Sequence, residues 1–321
     1  MKNFSGLVNS LAPFFGLAAI YLLFIVLGPE SFSSPHNLET ILRQTAIVGT
    51  AALGMTLVIV AGGIDLSVGS IIALTSVAIA ACLQAGLSPI LAAGAGIGVG
   101  VFCGFVNGLL ITRLRVVPFI VTLGTMLIIR GSAKGIAHEQ KIDAPLTWLN
   151  TLLAALAPDA SWQFVPAGVW IALLLAVLVA LLLRYTKLGK HIVAVGSNEQ
   201  TALLCGVPVN RVKVLVYTLS AGFAGVAGLM QFSRLTIGDP TVAIGLELDV
   251  IAAVVIGGGS LSGGEGSVAG TIVGALIMTT IRSGCSQMGL PNWVQEIITG
   301  AIIVVAVSLD RLRHRRNELQ R

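Results

Sequence analysis

Three short segments carry the residue types that could do chemistry. Gly62-Gly63-Ile64-Asp65-Leu66-Ser67-Val68-Gly69-Ser70 interrupts a long apolar run with a carboxylate, two hydroxyls and three glycines. Two readings of it stay open. Asp65 or Ser67 caps the following helix, its oxygen satisfying orphan N–H groups. Alternatively the carboxylate serves a path through a membrane, the default for an ionisable group at that depth. In the second segment, Glu247 and Asp249 precede an apolar run to Ile256. They either offer complementary charge to a partner or cap a helix start and solvate a loop. In the third, Asn198-Glu199-Gln200-Thr201-Ala202-Leu203-Leu204-Cys205-Gly206 opens on a good N-cap, Asn198 or the preceding Ser197, and closes on a glycine stop before Pro208. About two turns of helix fit between them. Such a helix, held off the membrane by a long loop, has nothing in its own chain to pack on and points to a partner; an ordinary structured loop is the plainer reading. No catalytic set is present: no HExxH, no Walker lysine loop, no Ser-His-Asp arrangement. His138-Glu139 and His191 read as solvated groups, not as metal ligands. Cys82, Cys103, Cys205 and Cys285 form no CxxC pair and read as structural thiols.

The elements that must position these residues are membrane helices. The chain has 321 residues, 55% of them hydrophobic and 10% charged, whereas soluble domains carry about 25% charged residues. Spans need about 20 mostly apolar residues. Ten are expected, near 11–28, 44–62, 66–84, 89–112, 116–131, 166–184, 213–232, 248–260, 267–283 and 293–309. The eighth is short and reads as a half-helix leading into the glycine-rich break at 257–267. Residues 37–44 read as an interfacial helix feeding the second span. The first span reads as retained, since no convincing small-residue cleavage site follows it. Among 38 glycines, those of 94–100 and 222–228 form small-residue faces for close helix packing.

Charge orients the expected bundle. One side would hold Lys2, Arg113, Arg115, Arg184, Lys187, Lys190, Arg211, Lys213 and the five arginines of 310–321. The other would hold Glu30, Glu39, Glu139, Asp143, Asp159, Asp239, Glu247 and Asp249. The positive-inside rule makes the first side cytoplasmic and places both termini there. The basic tail, 310–321, reads as an anchor near anionic lipid. The net charge of +5 thus speaks of membrane orientation. Nothing in the chain interleaves basic and aromatic residues as a nucleic-acid module would.

The 62–70 break, the 196–209 segment and Glu247-Leu248-Asp249 with the run into Gly257-Gly258-Gly259-Ser260-Leu261-Ser262-Gly263-Gly264 together resemble the ribose-type sugar permeases of bacterial ABC importers. The similarity runs in order from about residue 37 to 310. It implies an all-α polytopic bundle of about ten spans with broken helices, a single permease domain over 1–321 in the bacterial inner membrane. It also implies partners: a tandem nucleotide-binding ATPase carrying the ATP and Mg, an extracytoplasmic sugar-binding protein, and a second permease copy, identical or paralogous. By position, Asn198, Glu199, Gln200, Thr201, Ala202, Leu203 and Gly206 resemble the ATPase-coupling helix within a cytoplasmic loop over 185–212. The wider E-A-A, three residues, then G pattern falls on Gln200, Thr201, Ala202 and Gly206, with Glu199 one position early. Asp65, Ser67 and Asn107 become candidates for gating or the substrate path, and Glu247 and Asp249 for docking the binding protein.

Polar residues within the spans include Thr56, Asn107, Thr122, Thr125, Gln231 and Gln287. Sugar hydroxyls need such neutral donors and acceptors, but interhelical hydrogen bonding is the plainer role for each singly. The rival function is an ion-coupled secondary transporter, for which Asp65, Glu265 and Glu296 are the available acids; within the resembled family, a nucleoside or a sugar-like signal is the alternative cargo.

Overall fold

The computed structural model describes residues 2–156 and 164–318, and among these it contains twelve α-helices. They are α1 (Lys2–Leu27), α2 (Pro35–Val60), α3 (Val68–Gln84), α4 (Pro89–Leu114), α5 (Pro118–Ile136), α6 (Ala167–Tyr185), α7 (Lys187–Ser197), α8 (Glu199–Leu204), α9 (Val209–Leu235), α10 (Leu246–Ile256), α11 (Val268–Gln287) and α12 (Asn292–Glu318). Every expected span falls on a helix. Six helices, α2, α4, α5, α6, α9 and α11, are long and apolar enough to cross a bilayer. Apolar stretches of α1, α3 and α12 are shorter. Helix α10 has 11 residues, about 16 Å at 1.5 Å per residue, roughly half of a bilayer core of ~30 Å. Asp159 and residues 319–321 lie outside the described residues; the helix of the basic tail runs as far as Glu318.

Local chemistry sets the ends. Ser34 accepts the Asn37 amide on its hydroxyl at 3.2 Å and places Pro35 in the first turn of α2, where a missing N–H costs nothing. Helix α2 then runs unbroken for 26 residues, so 37–44 is its first two turns and not a separate interfacial helix. Residues 45–60 of α2 are all buried, making it the central post. Thr45 meets Thr279 at 2.6 Å and Thr56 meets Thr271 at 2.8 Å, tying α2 to α11. The glycine faces pack in part: Gly96 meets Ile79 and Gly228 meets Thr75, whereas Gly94 and Gly98 have nothing within 4 Å. Gly100 lies against Gly225, and Gly104 and Gly108 against the backbone at Tyr217 and Val214, so α4 and α9 approach closely.

Connections gather at two ends. At one, β1 (Ile142–Asp143) pairs antiparallel with β2 (Ile237–Gly238), joining the α5–α6 and α9–α10 connections. Two residues per strand left no period for the sequence to show. At the other, the Gly264 amide donates to the Val60 carbonyl at 2.9 Å. Gly196 packs so tightly there that an added Cβ would collide with both groups. The two glycine-rich breaks and the end of α7 thus share one junction.

Candidate functional site

The first break places a carboxylate inside the bundle. Gly62 adopts φ 80°, and the Gly62 and Gly63 amides donate to the Ile59 and Val58 carbonyls, a Schellman ending. The Ile64 carbonyl accepts the Thr122 hydroxyl at 3.2 Å. Asp65 Oδ1 accepts the Ser67 amide at 2.9 Å and the Ser67 hydroxyl at 2.6 Å. Asn107 of α4 donates to the Ser67 hydroxyl at 3.0 Å. Asp65, Ser67 and Asn107 are all fully buried, so the three path candidates form one cluster. Ser67 occupies the N-cap position of α3 but makes no side-chain cap bond; the turn is closed by Asp65 instead. Neither Arg113 nor Arg115 pairs with Asp65; both border grooves at the surface. Asp65 Oδ2, Asn107 Oδ1 and Ser70 Oγ are buried without a partner among the described residues.

The 185–212 segment is two helices, not a loop. Thr186 caps α7 by accepting the Gly189 amide at 3.1 Å. The apolar side of α7 buries Ile192 and Val195. Asn198 Oδ1 accepts the Thr201 amide at 2.8 Å, as a cap should. Gly206 takes φ 82°, with its amide on Leu203 O and the Val207 amide on Ala202 O, another Schellman ending. Ala202 is buried in the main core, and Lys213 Nζ pairs with Glu199 at 2.7 Å. Helix α8 therefore does pack on its own chain, which corrects the expectation of an unsupported helix. What it leaves outward is Leu203 at 63% and Leu204 at 88% exposure. Beside it a groove of about 780 Å³ runs between the α4–α5 link and the start of α9, bordered by Arg115, Glu199, Leu203 and Arg211.

The acidic pair lies on a re-entrant segment. Gly238 packs against Ser76, Val77 and Ala80 toward the far end of α3, while the Ala243 carbonyl sits against Gly69 at its start. Between these points the chain descends roughly 12–16 Å at 1.5 Å per residue of α3. Arg130 of α5 holds the descent, donating through Nη1 to the Pro240 and Val242 carbonyls at 3.0 and 2.7 Å. At the top, Asp239 accepts the Thr241 amide and hydroxyl at 2.8 and 2.6 Å and faces Lys141 at 3.5 Å. Burial pushes the Asp239 carboxyl up, but the Thr241 donors and the Lys141 ammonium outweigh it and leave the group below its ordinary value. Gly245, at φ 79°, turns the chain into α10. The Glu247 carboxylate then rests on Gly69. Asp249, 1% exposed, pairs through Oδ2 with Arg282 of α11 at 2.6 Å. Asp249 is thus inside the bundle and not at its mouth, because the chain re-enters before α10 begins. Sequence reasoning missed Arg130 and Arg282. The available signal was their charge within apolar helices, which marks an ionisable residue for scrutiny.

The interior amides and hydroxyls divide into two groups. Thr56, Asn107, Thr122, Thr125 and Gln287 are bonded within the bundle. Gln231 makes no such bond with a described residue and borders a cavity that Gln287 also lines. Among the described residues no cluster of histidine, cysteine or acids could hold a metal ion, and all four cysteines are free.

A family model described as the permease component of branched-chain amino acid transport systems matches residues 37–307. The chain belongs to this permease family. The permease is 40% identical to the ribose import permease protein RbsC of Bacillus subtilis (strain 168), over 96% of this chain and 95% of that one. It is 37% identical to RbsC of Escherichia coli (strain K12), over 92% of each. It is 34% identical to the L-arabinose ABC transporter permease protein AraH of Azospirillum brasilense, over 94% of this chain and 88% of that one. No solved structure matches the permease.

Proposed function

We propose that this chain is the membrane-spanning subunit of a binding-protein-dependent ABC importer that carries a monosaccharide across the bacterial inner membrane. The observation that carries the reading is end-to-end similarity to permeases named for ribose and L-arabinose. The chain contains no nucleotide-binding motif, so ATP and Mg are held by a separate ATPase with two nucleotide-binding halves. That ATPase docks on the outward face of α8, where Leu203 and Leu204 stand beside the groove at Arg115 and Arg211. One α8 per chain calls for two permease copies on a two-halved ATPase, and closed two-fold assemblies are the commonest kind. Ten spans with both termini cytoplasmic follow from the basic residues and put α8 on the ATPase side. With Asp249 inside the bundle, the binding protein docks on the opposite end, around the β1–β2 pair.

Affinity capture of the full-length permease from its own membranes, with mass measurement of the intact complex, tests this assembly. The expected species holds two copies of this chain and one tandem ATPase. A complex holding one copy would reject the homodimer, and a permease that never recovers an ATPase would reject the importer.

A further inference from the structure

A cavity of about 370 Å³ opens among α2, α9, α10 and α11, bordered by the Asp249–Arg282 pair. It falls in the size range of small-molecule sites, about 300–1,000 Å³. Asp249 is 1% exposed, yet its Oδ1 has no hydrogen-bond partner among the described residues. A buried carboxylate oxygen is costly to leave without a donor, so its position marks where a donor from outside the chain belongs. Gln44 of α2 and Gln231 and Arg234 of α9 also border the cavity and make no hydrogen bond or ion pair with a described residue. Other polar groups on the same wall, among them Asn37, Thr279, Ser283 and Gln287, are bonded within the chain, so the unpartnered groups mark one part of it. Ile47 and Ile244 supply apolar surface on the same cavity.

We propose that this cavity is a monosaccharide-binding station within the permease itself. Asp249 Oδ1 accepts a sugar hydroxyl, the amides of Gln44 and Gln231 take donor and acceptor roles, and Arg234 donates. Arg282 fixes the Asp249 carboxylate so that its second oxygen faces the ligand. The chemistry favours a neutral polyol. Two guanidiniums against one carboxylate disfavour a cation, and the free Asp249 oxygen disfavours an anion. Each sugar hydroxyl offers both a donor and an acceptor, which this mixed wall requires. The inference rests on the reading of the chain as a sugar permease and adds a site inside it, separate from the Asp65 cluster.

The test uses the full-length permease with its ATPase in lipid nanodiscs, without binding protein. The probe is whichever of tritiated D-ribose, L-arabinose and D-allose the complete importer takes up in proteoliposomes. Saturable binding is expected. Gln44→Ala and Gln231→Ala should each weaken it about tenfold, as loss of a ligand hydrogen bond does. Neither removes an internal bond, so the melting temperature should hold. Asp249→Asn should weaken binding at least as much. If the importer takes up the sugar but the nanodiscs show no saturable binding, or both glutamine variants bind normally, the station is overturned and the importer stands. Uptake of leucine and of none of the sugars overturns both.

Discussion

Asp65 owes its place to hydrogen bonds and not to a counter-charge. Its Oδ1 takes both the amide and the hydroxyl of Ser67, and no basic group among the described residues pairs with it. Asparagine keeps an acceptor oxygen in the same position, and Asn and Asp rank together where a side chain closes a turn onto backbone N–H. Asp65→Asn should therefore insert, assemble and transport close to wild type, whereas Asp65→Ala should lose about 1–3 kcal/mol by stranding buried donors. Uptake normalised to complex abundance, with melting in detergent, checks both. Loss of uptake in an intact Asp65→Asn complex would assign the charge itself to gating. The glycine junction gives a second residue-scale expectation. An added Cβ at Gly196 meets the backbone at Val60 and Gly264, which cannot yield as a side chain would. Gly196→Ala should destabilise the permease by about 1–3 kcal/mol. Gly94→Ala, with nothing within 4 Å, should be neutral or slightly stabilising. Equal melting temperatures for the two variants would contradict the junction.

Among the elements, α8 divides within six residues into a packed side and an exposed side, the latter being the proposed docking face. Ala202 and Glu199 tie it to α9, while Leu203 and Leu204 point away. Deleting 198–205 would remove both functions at once. Leu203→Asp with Leu204→Asp should remove docking alone, leaving melting unchanged and abolishing ATPase co-purification; normal co-purification would move the docking surface elsewhere. Helix α8 was legible in the sequence because a cap and a glycine stop are local: Asn198 acts three residues away and Gly206 within five. The half-helix α10 was legible for the same reason, since its glycine stop follows directly. The descent of 239–245 was not. Its depth comes from Arg130, more than a hundred residues away in the chain, and from Gly69 yielding room to Ala243. The Gly238-Asp239-Pro240 sequence reads as an ordinary loop, so Asp249 was expected at the surface. The packing of α7 was hidden likewise, because Gly196 finds its neighbours on α2 and the second break.

For the whole molecule, the contacts sort the connections to two ends, and the basic residues sort with them. The β1–β2 pair lies at one end, and the Gly196 junction with α8 at the other. A membrane-impermeant maleimide applied outside should label Asp143→Cys and miss Lys187→Cys, in a Cys205→Ser background because Cys205 is exposed. The reverse pattern would invert the topology. The same arrangement bears on what drives transport. A permease whose buried break carboxylate, Asp65, pairs with no basic group among the described residues, and whose exposed α8 tip the proposed topology turns to the cytoplasm, should draw its energy from a docked ATPase and not from an ion gradient. The most direct test is uptake of labelled D-ribose, L-arabinose and D-allose into proteoliposomes holding the permease, its ATPase and the binding protein. One of these sugars should accumulate only with ATP, irrespective of any sodium or proton gradient, and the Leu203→Asp, Leu204→Asp variant should abolish that accumulation. Uptake driven by an ion gradient without ATP would contradict the account.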